Sequence, residues 1–260
     1  MKKLSVLIGV LLFYTTGFAK VIVLSGLTNV GSANPGQIVE GEVLLQNIGD
    51  KEERILIYLN DLVQDCQTAT SYAPVGTHPR SSGNWIELNA ADRLLAPMEE
   101  FSLKYKVKVP EEKNLRGSYW SILMVEIVDP IKEDQLDYGI AMDSKIRYGV
   151  QLITNVGAEE PSVIEFAGVE LNQKDGGYVL SATAENISEF MVTPTMVLEV
   201  YNQDAELVLK TEVPFKKVYP KSCKTFELPI QNLEKGNYDA LLVADYGKDL
   251  FGTNLEFSID

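Results

Sequence analysis

His78, Cys66 and Cys223 are the entire supply of histidine and cysteine in 260 residues. Imidazole is the commonest general base, so such catalysis would have to run through His78. It lies in 64–83 (QDCQTATSYAPVGTHPRSSG), which carries Gly, Pro and Ser with little periodicity and reads as a loop. No nucleophile motif accompanies it, so the sequence predicts a solvent-exposed loop histidine and no enzyme. The same scarcity excludes a His/Cys zinc site. Carboxylates are abundant, but they alternate with apolar residues as on a wet sheet face, not as a paired acid and base. Neither a Gly-rich phosphate loop nor calcium or zinc spacing occurs, and no cofactor is expected. Asn186-Ile187-Ser188 matches a glycosylation sequon as a pattern only.

A second kind of chemistry is backbone pairing, and 138–152 is built for it. Tyr138, Ile140, Met142, Ser144, Ile146, Tyr148, Val150 and Leu152 share one face of an alternating stretch. Gly139, Ala141, Asp143, Lys145, Arg147, Gly149 and Gln151 share the other. A strand of about 15 residues is far longer than the usual five or six. Two readings stand: an edge strand offering alternate side chains to a partner, or a last strand wholly buried in its own domain.

The surrounding elements are also strands. In 99–109, Phe101, Leu103, Tyr105, Val107 and Val109 alternate with polar residues, the mark of a half-buried strand. Other candidates are 20–25, 37–48, 54–63, 84–88, 117–128 and 138–154. A second series reads at 162–171, 177–187, 194–202, 206–214, 222–231, 236–246 and 251–259. Segment 117–128 is apolar on both faces, so it is expected at the centre of a sheet. Gly, Pro, Asn and Asp punctuate both series. The sequence thus predicts an all-β chain of two tandem immunoglobulin-like sandwiches, 20–155 and 162–260, joined by a short polar linker. The halves share an order: Asn47 before a turn, Pro97 in a turn, Gly117-Ser118-Tyr119 opening a strand. Asn186, Pro220 and Gly236-Asn237-Tyr238 repeat it.

Residues 1–19 read as a cleaved secretory signal, with Lys2 and Lys3 ahead of a short apolar run and small residues at Gly17 and Ala19. Removing them changes the formal charge from −14 to −16. So acidic a chain lacks the footprint of a nucleic-acid binder. No later apolar run is long enough to span a bilayer. The expected location is periplasmic, with the cell surface or secretion as the alternative. Export permits a disulfide. Cys66 and Cys223 fall in opposite predicted domains, however, and a bridge needs their Cα atoms within about 7 Å. The sequence favours two separate thiols.

Segment 118–153 (SYWSILMVEIVDP…YGIAMDSKIRYGVQLI) resembles the last two strands of the first domain of periplasmic pilus chaperones, the two-domain chaperones of chaperone–usher systems. The resemblance implies that Tyr138, Ile140 and Met142 enter the groove of an incomplete exported subunit by strand addition. It implies that Lys145 and Arg147 belong to the same partner-binding strand, with Arg147 at the family's cleft lysine, which binds the subunit's terminal carboxylate. It also implies an outer-membrane usher as a second partner. The family adds an arginine on the first strand, whereas in 20–35 only Lys20 is basic. A weaker similarity, to surface proteins with paired immunoglobulin-like domains, implies a structural or adhesive module without chaperone activity.

Overall fold

The computed structural model describes residues 20–64, 66, 70–128, 145–174, 177–247 and 249–259. Alternating apolar residues make the chain pair as strands, and it folds into two tandem immunoglobulin-like sandwiches. The first contains β1 (Val21–Val23), β2 (Thr28–Ala33), β3 (Ile38–Asn47), β4 (Glu53–Val63), β5 (Ser71–Ala73), β6 (Ile86–Leu88), β7 (Asp92–Leu95), β8 (Glu100–Lys108), β9 (Gly117–Val128) and β10 (Arg147–Val156). A 3-10 turn at Gly83–Trp85 takes up the first residues of the expected strand 84–88. The second contains β11 (Ile164–Lys174), β12 (Gly177–Asn186), β13 (Thr195–Tyr201), β14 (Leu207–Val213), β15 (Cys223–Ile230), β16 (Gly236–Asp245) and β17 (Leu250–Ile259). Among the described residues no helix is long and apolar enough to cross a membrane.

The first sandwich packs a sheet of order β1-β3-β8-β6 against one of order β2-β10-β9-β4-β5, with β7 also on β4. The second packs β11-β12-β15 against β14-β13-β16-β17. Leu103, Tyr105 and Val107 of β8 turn into the first core and Lys104, Lys106 and Lys108 into water, as their alternation requires. β9 is central, between β10 and β4. Its Leu123, Val125 and Ile127 join that core. Its Trp120, Ile122 and Met124 point the other way, into a separate cluster with Leu62, Ile153 and the second sandwich's Tyr219. Strands β2, β5 and β7 were not expected. β2 (TNVGSA) is small and polar, and pairs parallel to β10 rather than forming a hairpin.

Two expectations are overturned. Cys66 and Cys223 are not separate thiols but a disulfide linking residues 157 apart in sequence, one from each sandwich. His78 is not solvent-exposed, since its side chain retains only 10% exposure. The Asn186 sequon offers no accessible acceptor, because Asn186 is fully buried.

The repeated Asn and Pro signals mark one device built twice. Asn47 and Asn186 are both completely buried at the ends of β3 and β12. Asn47 Nδ2 donates to the carbonyls of Lys51, Leu95 and Ala96, and its Oδ1 accepts from Gly49 N–H. Asn186 Nδ2 donates to Phe190 and Val218 carbonyls, and its Oδ1 accepts from Ser188 N–H. Each thereby ties a strand end to the turn of Pro97 or Pro220. In both turns the residue after proline, Met98 or Lys221, has positive φ (61° and 58°). Pro followed by positive φ, closed by Glu99 N–H to Ala96 O or Ser222 N–H to Tyr219 O, is a type II turn. Removing such an amide leaves buried carbonyls unpaired. Asn47→Ala and Asn186→Ala should each lower stability by about 2 kcal/mol in urea denaturation. A loss within about 0.5 kcal/mol, the usual scatter of surface changes, contradicts the clamp.

Candidate functional site

The loop after β4 is a strap across the junction of the sandwiches. Its organiser is Asp61, whose side chain is wholly buried on β4. The Asp61 carboxylate accepts from Thr77 N–H at 2.8 Å, Ser81 Oγ at 2.6 Å and Ser121 Oγ at 3.3 Å. Several donors are what a buried carboxylate needs. The strap thus lays His78 on Trp120 (ring centroids 4.5 Å), and Trp120 in turn stacks on Tyr219 at 4.4 Å. Trp120 Nε1 donates to Leu62 O at 2.8 Å, and Tyr219 Oη to Gln151 Oε1 at 2.9 Å. Arg80 pairs with Glu189 of the second sandwich and donates to the carbonyls of Arg116 and Ser118. Gln64 Nε2 reaches the Cys223 carbonyl. Gly117 is required here: its φ is +97°, and a Cβ would collide with the Glu189 carbonyl. Cys66, Cys223 and Glu185 cluster, but both sulfurs are spent in the disulfide.

β10 is the other half of the site. It pairs with β9 along its whole length, Arg147 to Val156. Its other edge pairs with β2 only from Gln151 onward, and Gln151 N–H donates to Leu27 O. Tyr148, Gly149 and Val150 therefore have no strand on that edge among the described residues. Along the same stretch the core-facing row opens: Leu152 and Val150 are buried, Tyr148 is half-buried, and Ile146 is 40% exposed. Tyr138, Ile140 and Met142 lie outside the described residues.

Lys145 and Arg147 are placed on Glu126 of β9, at 3.6 and 2.9 Å, with Tyr58 Oη donating to the same carboxylate at 3.0 Å. Burial acts to raise the Glu126 carboxyl, but the hydrogen bonds of Tyr58 and Arg147 and both cations hold it below its ordinary value. Arg147 stands four residues from Gln151, ~13 Å at 3.3 Å per residue. Where the edge meets the junction there is instead Lys217, from the second sandwich. Its Nζ donates to Thr28 Oγ1 at 2.7 Å, and among the described residues no carboxylate pairs with it. Burial pushes its ammonium below the usual lysine value. An uncompensated cation beside an open strand edge is suited to an anion. Nothing in the sequence singles out Lys217, and only the docking of the two sandwiches distinguishes it.

His78 is expected to make stability depend on pH. Burial pushes its imidazole below the ordinary 6.5, and Asp61, 3.9 Å from Nε2, offsets this only in part. Below 6.5 the unfolded chain binds the proton more readily, so stability rises with pH through this window. The contribution should be complete above the ordinary value and be lost as pH falls towards the folded one. His78→Gln should flatten the stability profile between about pH 7 and pH 5, read by urea denaturation at each pH. An equally steep variant would show that another group is responsible.

The chain's sequence matches no protein-family model and no curated protein. Solved structures similar to it include chains of fimbrial chaperones and a PapD-like domain of human CEP192. One is a chain of a chaperone–tip adhesin complex of CFA/I fimbriae, at 11% identity, TM-score 0.49, covering 92% of this chain and 98% of that one. Another comes from the CsuC–CsuE chaperone–tip adhesion subunit pre-assembly complex of archaic chaperone–usher Csu pili of Acinetobacter baumannii, at 14% identity, TM-score 0.47, with 91% and 98% covered. A third is the YadV chaperone, at 11% identity, TM-score 0.47, with 92% and 100% covered.

Proposed function

We propose that this chain is a non-enzymatic, chaperone-like binding protein that holds an exported subunit by strand addition along β10. The observation that carries the reading is the half-open edge of that strand, with its core-facing row passing from sealed to exposed over Leu152 to Ile146. Backbone hydrogen bonds along such an edge supply affinity, and pockets for alternate side chains supply specificity. Tyr138, Ile140 and Met142 continue the row in sequence and are the side chains proposed to fill the partner's groove. The periplasm is the proposed compartment, following from the signal-like residues 1–19, and the usher remains a proposed second partner.

Lys217 is the better candidate than Arg147 for the subunit's terminal carboxylate. Arg147 and Lys145 already share Glu126, whereas Lys217 has no counter-charge among the described residues. A chain running parallel to β2 along the open edge would end against Leu27 and Thr28, beside that ammonium.

Ile140→Asp with Met142→Asp should abolish recovery of partner subunits from the periplasm, because a charge desolvates badly in an apolar groove. Equal recovery by wild type and variant would count strongly against strand donation. Lys217→Met should weaken a subunit-tail peptide with a free C-terminal carboxylate by about tenfold, the weight of one charge-assisted hydrogen bond, and leave the amidated peptide unchanged. Equal losses for both peptides would remove Lys217 from carboxylate recognition.

A further inference from the structure

We propose that the Cys66–Cys223 disulfide is a redox clasp on the junction, opened by a thiol or dithiol that attacks Cys66. The bond joins the start of the loop after β4 to β15 and so crosses from one sandwich to the other. Neither sulfur belongs to either sandwich core, which are closed by their own apolar residues. Breaking the bond therefore removes a tether and leaves both cores complete.

The two sulfurs are unequal. Cys66 is exposed, whereas Cys223 is 6% exposed at the start of β15. Exchange needs an attacking thiolate to reach a sulfur, and access selects Cys66. The thiolate of a dithiol reductant forms a bond to Cys66 Sγ. The Cys66–Cys223 bond breaks, and Cys223 leaves as a thiolate that takes up a proton. The reductant's second thiol then attacks its own sulfur in the mixed disulfide and releases Cys66. Two electrons have passed to the protein, and the dithiol has become a disulfide.

With the bond open, the strap keeps only its non-covalent holds. Across the junction, among the described residues, these are Gln64 to the Cys223 carbonyl and Arg80 to Glu189, while His78 lies on Trp120 of β9. Local opening of so polar a fastening costs less than unfolding either core. The exchange site thus controls the strap, which lies on the junction that also contains Lys217, Thr28, Gln151 and Tyr219.

Two measurements on the full chain test this. Oxidised protein treated with glutathione, quenched in acid and mapped by mass spectrometry should carry the adduct on Cys66. An adduct on Cys223, or none, would overturn the assignment. Hydrogen exchange should then compare oxidised protein, dithiothreitol-reduced protein and the Cys66→Ala, Cys223→Ala double variant. The amides of Thr77, Ser81 and Ser82 should exchange about tenfold faster in the last two, with β9 and β16 amides changed by less than about twofold. Unchanged strap amides would show that the bond clasps nothing. Loss of protection in β9 or β16 would show that it staples a core instead.

Discussion

A strand that is apolar on both faces has to be covered on both, and β9 imposes this condition on the whole molecule. One face is sealed within its own sandwich by the facing sheet. The other carries Trp120, Ile122 and Met124, each worth roughly 1.5–3 kcal/mol when taken out of water. The second sandwich meets part of that need with Tyr219, and the strap after β4 meets another with His78. The relation between the sandwiches thus follows from hydrophobic burial on the outside of one sheet. The ion pair, the Asp61 network and the disulfide fix in place an arrangement that this burial favours.

The same condition gives β10 its mixed character. Beside β9 it shares the sealed environment from Gln151 to Val156, where β2 closes its outer edge. Before Gln151 no strand covers that edge among the described residues. One strand is therefore flanked on both edges at one end and, among the described residues, on one edge only at the other. Of the stretch 138–152, residues 145–152 are described, and Val150 and Leu152 are buried whereas Ile146 is 40% exposed.

What could be read from sequence was local. Period-two alternation identified β8, and two-sided apolarity placed β9 at the centre. The Asn and Pro signals marked equivalent clamps because each clamp closes within its own strand ends and turns. What escaped depended on distant residues meeting. β2 has no alternation to show, and its pairing is parallel. His78 looked exposed because its cover, Trp120 and Asp61, comes from two other strands. The disulfide depends on the docking of two domains, which no spacing rule reports. Lys217 becomes distinctive only once Thr28 lies beneath it.

The covalent bond across the junction also changes the connectivity of the molecule. Two links now join the sandwiches, the peptide segment between Val156 and Ile164 and the bond between Cys66 and Cys223. Together they close a ring through both domains. A protease that cuts the peptide segment opens the ring without releasing either half, so the cleaved molecule remains one covalent body until it meets a reductant.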